Sequence, residues 1–98
     1  MFERLDEIER TYGDVERQLA DPEVIADQAR LVELSKRHAE LAQVVRVYRA
    51  WRATREDLDT ARQLHREERS AEGRALLDEE ITSAQARLAE LDAQLRRA

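Results

Sequence analysis

Val44-Val45-Arg46-Val47-Tyr48-Arg49-Ala50-Trp51-Arg52-Ala53-Thr54-Arg55 is the stretch on which the fold turns. Two apolar stripes overlap in it. Leu31, Leu34, His38, Leu41, Val45 and Tyr48 form one heptad line, and Val44, Val47, Trp51, Leu58, Ala61 and His65 form a second, with Thr54 on it. The two lines are one residue out of register, and neighbouring positions on a helix differ by about 100°. The early and late halves of one helix therefore bury different sides and require different partners. Neither Gly nor Pro occurs between Gln28 and Arg66. That predicts a single helix over 28–66, about 58 Å long at about 1.5 Å per residue, against a radius of gyration near 13 Å for a compact domain of this size.

The partners lie on either side in sequence. Phe2, Leu5, Ile8, Tyr12, Val15 and Leu19 recur at steps of three and four and predict a helix over about 2–20. Gly13 interrupts its polar face at a cost of about 1 kcal/mol relative to Ala, too little to end a helix. Asp21-Pro22 does end it. Pro22 disfavours helical geometry at Asp21 and suits the first position of a new turn over about 22–26, with Asp21 as its N-cap and Asp27 capping the helix that starts at Gln28. Downstream, Leu77, Ile81, Ala84, Leu88, Leu91 and Leu95 keep a coiled-coil spacing, widened by Leu76, and predict a helix over about 74–96. Ser70 and Gly73 mark the break before it, the tip of a hairpin that sets 74–96 along 44–66. The alternative is an unbroken helix to the C-terminus that would need a dimer to cover its seam. The expected fold is all-α: an elongated helical hairpin or three-helix, coiled-coil-like arm with a long central helix, one domain over 1–98.

Composition agrees. Of 98 residues, 39 are charged and four are aromatic, with one Pro and two Gly; roughly 25% charged is ordinary, so a large core is excluded and long helices are favoured. The absence of Cys excludes disulfides and thiolate metal sites. Charges in the first seven residues do not fit a signal peptide, and no stretch reaches about 18 apolar residues, so a cytoplasmic location without membrane insertion is expected.

Catalytic signatures are missing. Two isolated glycines cannot build a phosphate loop, and no nucleophile elbow occurs. His38 and His65 stand 27 positions apart on apolar lines, which suits seam edges better than metal ligation. The acidic residues are spread too evenly to single out an acid/base pair. No cofactor, metal or catalytic residue is expected, so the chain reads as a non-enzyme. Charge is segregated, however: net −6 over 1–27, +4 over 28–66 and −3 over 67–98, within a total of −5. The positive excess gathers at Arg46, Arg49, Arg52 and Arg55, which wind across one broad side of the helix near Tyr48 and Trp51. Guanidinium groups suit phosphates and RNA edges, and these four are the candidate RNA or ribosome contacts. Against this, Trp51 lies on the second apolar stripe and is expected to be core, with the arginines then a counterweight to the acidic outer helices.

Leu19-Ala20-Asp21-Pro22-Glu23-Val24-Ile25-Ala26-Asp27-Gln28, followed by Leu34-Ser35-Lys36-Arg37-His38-Ala39-Glu40-Leu41, resembles the N-terminal domain of bacterial class I peptide chain release factors, of the release factor one type that reads UAA and UAG. Met1 to Leu5 with Ile8, and Tyr48 with Trp51, fit the same pattern, so the resemblance spans the chain. It implies a cytoplasmic arm for translation termination, reaching the protein and RNA of the large-subunit stalk base as part of a longer parent. The family's codon-reading Pro-x-Thr and its Gly-Gly-Gln loop for peptide release do not occur here, which makes this a piece without the family's chemistry. Monomer or weak dimer is the expected state. A dimerising coiled-coil adaptor and a tRNA-binding helical arm are the alternatives from other classes.

Overall fold

The structure, a computed structural model, describes residues 2–97 and is helical apart from short connections. Four helices follow in order: α1 (Phe2–Leu19), α2 (Pro22–Ala26), α3 (Gln28–Glu67) and α4 (Ala71–Arg97). The all-α class and the long central helix are as the sequence leads one to expect. The break at 68–70 excludes the unbroken helix. The chain divides into two compact units, Met1–Arg46 and Val47–Ala98. Their boundary falls where the two apolar stripes of α3 overlap.

In the first unit, the stripe of α1 buries Leu5 and Val15. Tyr12 stacks on His38 of α3, with ring centroids 4.6 Å apart and planes 22° from parallel. His38 Nε2 also lies 3.5 Å from Glu16 Oε2. A seam-edge histidine is thus held by a ring and a carboxylate of the neighbouring helix. Ala20 and Asp21 donate their N–H groups back to Arg17 and Gln18, closing α1. Asp21 then caps α2, its Oδ1 accepting the Glu23 N–H at 2.9 Å, with Pro22 at the first helical position. Asp27 serves twice. Its N–H closes α2 on the Val24 carbonyl, and its Oδ1 accepts the Arg30 N–H at 3.2 Å to open α3. The single turn of α2 packs on α1 and carries Val24, at 1% exposure the most deeply buried large side chain described.

In the second unit, α4 returns antiparallel along α3. His65 Nε2 sits 3.0 Å from Asp78 Oδ1 across the seam. Leu58 and Ala61 of α3 and Leu91 and Leu95 of α4 are buried. Thr54, the polar residue on the second stripe, is buried with its hydroxyl donating to the Ala50 carbonyl at 2.8 Å, so it carries no unmet hydrogen bond into the seam. Side chains off the stripes stay outside: Val32 is 44% exposed and Leu64 48%. Leu76, expected to widen the seam, is 62% exposed instead. It stands about 100° around the helix from Leu77 and borders the seam near Leu64 without being buried in it.

The helix expected over 74–96 begins three residues earlier, at Ala71. Ser70 is its N-cap, the hydroxyl accepting the Gly73 N–H at 3.0 Å. Gly73 lies inside the first turn with a negative φ, so it does not act as a breaker. Its role is space. A Cβ there would meet Glu68 Cδ at 2.6 Å, Glu68 Cγ at 2.8 Å and Ser70 Oγ at 2.8 Å.

Candidate nucleic-acid interface

Of the four expected contacts Arg46, Arg49, Arg52 and Arg55, the last three lie in the second unit, and since steps of three residues turn a side chain back by about 60° each time they fan over about a third of the circumference of α3. All four are exposed. Arg46 closes the first unit, while the other three belong to the second. The guanidinium carbon of Arg52 lies over the Tyr48 ring, 4.8 Å from its centroid. Tyr48 is buried, and its ring stacks against Trp51 at 6.3 Å with planes 21° apart. Arg55 Nε stands 3.7 Å from Asp59 Oδ2, one turn on. An exposed i,i+4 pair of this kind contributes about 0.3–0.5 kcal/mol, so a phosphate can displace the carboxylate cheaply.

Trp51, expected to be core, is half-buried. It borders an open groove along the α3–α4 seam, together with Arg55, Leu58, Arg62, Leu88 and Asp92. Asp92 is itself engaged by Arg96 Nε at 3.0 Å. Arg62, seven residues beyond Arg55 and so on the same face, is a member the composition of the 44–55 stretch could not reveal. A signal for it exists in the sequence: Trp51, Arg55, Leu58 and Arg62 repeat at steps of four, three and four. Along the opposite flank the seam is lined by Asp57, Thr60, Glu80 and Arg87, among others.

The hairpin tip has the reverse character. Leu64, Leu76 and Leu77 floor a second open groove, rimmed by Glu67, Glu68, Glu79 and Glu80. Glu68 organises it. Its Oε1 accepts the Arg69 N–H at 3.0 Å and both the N–H and the hydroxyl of Ser70 at 3.1 Å. Its carbonyl, left over at the end of α3, accepts from Arg74 Nε at 2.8 Å. The backbone N–H of Ser70 first, then its hydroxyl, hold the carboxyl below its ordinary 4.5. Arg69 N–H and the charge of Arg74 add to the same effect.

Among the described residues there is no cluster of His, Asp or Glu suited to a metal ion. No described helix is long and apolar enough to cross a membrane. The two grooves thus differ in charge: one carries Arg55 and Arg62 beside Trp51, the other four glutamates beside Leu64, Leu76 and Leu77.

The PCRF domain family matches residues 8–98. The chain belongs to the PCRF domain family. This PCRF domain is 41% identical over 96 residues to peptide chain release factor 1 of Chlorobaculum tepidum, covering 98% of this chain and 27% of that protein. To peptide chain release factor 1 of Desulforudis audaxviator it is 42% identical over 96 residues, with the same coverage. Against the Streptomyces griseus protein of that name, identity is 49% over 63 residues, 64% of this chain and 18% of the relative. The PCRF domain thus spans about a quarter of the length of the first two relatives. No solved structure matches it. The family resemblance carried by Asp21-Pro22 and Leu34-Ser35-Lys36 agrees with the names of these relatives.

Proposed function

We propose that the chain is the N-terminal helical domain of a cytoplasmic translation termination factor that directs peptide release at UAA and UAG, and that it serves the parent as a ribosome-binding arm without catalytic residues. The observation that carries this reading is the family match over residues 8–98, with relatives named peptide chain release factor 1 at about 41% identity across the whole chain. The surface chemistry supports it. Arg46, Arg49, Arg52 and Arg55 offer guanidinium groups to RNA phosphates. The leucine-floored tip with its glutamate rim suits a basic protein of the stalk base. The seams buried by Leu58, Leu91 and Leu95 need no second copy to cover them, which favours a monomer over a dimerising adaptor.

The test compares the full-length parent with a form lacking residues 1–98 on ribosomes paused at UAG. Deletion is expected to raise KM for ribosomes while leaving kcat for peptide release within a few-fold. An unchanged KM overturns the arm, and an intact parent that releases no peptide at UAG overturns the termination reading itself.

A further inference from the structure

Of three open grooves among the described residues of the second unit, one is basic. The tip carries four glutamates against Arg69. One flank of the seam carries Asp57 and Glu80 against Arg87. The other carries Arg55 and Arg62 against Asp92, and Asp92 is already taken by Arg96. Of the three, this last groove is also the one that borders an aromatic ring. Trp51 lines it beside Leu88 and Leu58, its indole stacked on Tyr48, with Arg52 packed on Tyr48 in turn. Guanidinium groups two turns apart beside an aromatic ring are the elements by which proteins hold unpaired nucleotides: phosphates on the cations, a base on the ring.

We propose that the groove formed by Trp51, Arg55, Arg62 and Leu88 binds an unpaired stretch of RNA, with a base against Trp51 and neighbouring phosphates on Arg55 and Arg62. The inference rests on the ribosome-arm reading and narrows it. Of the four arginines over 46–55, Arg55 acts with Arg62, which lies outside that stretch, while Arg49 points about 120° away from Arg55 around α3 and belongs to a different surface. An acidic peptide would satisfy the two arginines but would have no use for the ring. Arg55 is spared for the phosphate because its pairing with Asp59 is exposed and long.

Trp51 is the single tryptophan of the chain, so its fluorescence reports on this groove alone. Titrating the whole chain with single-stranded octa-adenylate at low salt is expected to quench that fluorescence to saturation. The Arg55→Gln/Arg62→Gln double variant is expected to lower the slope of log affinity against log salt by about 1.4, at about 0.7 per phosphate on a single strand. Arg4→Gln/Arg10→Gln, on α1, should leave both the quenching and the salt slope in place. Absence of quenching in a chain with full helical circular dichroism overturns the proposal, as does an Arg55→Gln/Arg62→Gln variant that binds like the parent. Poly-glutamate displacing the oligonucleotide as readily as unlabelled RNA overturns it in favour of a peptide. Co-sedimentation with ribosomes separates the two readings: a chain that pellets with ribosomes but is not quenched loses the groove and keeps the arm, whereas one that is quenched but never pellets keeps the groove and loses the arm.

Discussion

The two ends of α3 are built differently. At its start, Asp21, Pro22 and Asp27 each act on the backbone within three residues of themselves. At its end, Glu68 reaches over Ser70 and against Gly73, and Arg74 returns to the Glu68 carbonyl. The first connection is a chain of independent caps; the second is one small network in which each part presumes the others. Caps of the first kind can be recognised one residue at a time. The network at the tip starts α4 three residues before the helix expected from the apolar pattern, because a carboxylate two residues ahead of the cap and a glycine three behind it have no meaning until they are folded together.

The largest effects should come from the seams those ends connect. Leu58 is buried at 3% exposure, and Leu58→Ala is expected to cost about 2–5 kcal/mol in chemical denaturation. Faster amide exchange should be concentrated in α4. Leu34 is only half-buried, so Leu34→Ala should cost less and loosen α1. If Leu58→Ala speeds exchange in α1 while α4 stays protected, the division of α3 between two partners is wrong.

The glycines should give opposite signs. A Cβ on Gly13 would meet only Arg17 Nη1, at an ordinary 3.7 Å, so Gly13→Ala is expected to stabilise α1 by about 0.5–1 kcal/mol. Gly73→Ala must displace Glu68 and crowd the Ser70 cap, a loss of about 1–2 kcal/mol that outweighs the same gain in propensity. Equal stabilisation by both substitutions, read from denaturation midpoints, would show that the tip network contributes nothing.

The smallest effect separates the ends by pH. Glu68 titrates below its ordinary 4.5 when folded, so its contribution is complete above that value and is lost as pH falls through the lower folded value. Amide protection at Arg69 and Ser70 should therefore drop below about pH 4.5 in the parent chain. In Glu68→Gln it should already be weak at neutral pH and change little on acidification. Identical pH profiles for the two proteins would remove Glu68 from the account.

Much of the rest is legible in the chain itself. The steps of Leu5, Val15, Leu58, Leu91 and Leu95 place the buried faces, since a helix repeats its side every three to four residues whatever surrounds it. The same rule sets His38 and His65 at seam edges, although their carboxylate partners, Glu16 and Asp78, lie too far along the chain for periodicity to pair them. The arginine cluster can be counted from the sequence and spread around α3 by helix geometry, but which of its members border α4 is not written there.

The sequence by itself determined that this protein is helical, where its first three helices lie, that α3 serves two partners, and which family it belongs to. All of these follow from local rules or from residue identity. The tertiary structure alone decided that Leu76 stays outside, that Gly73 makes room for Glu68, and that Leu88 and Asp92 of α4 border the same groove as Trp51, Arg55 and Arg62. Those facts depend on which side chains of α4 come to lie beside α3, and that register is set by the packing of the whole seam.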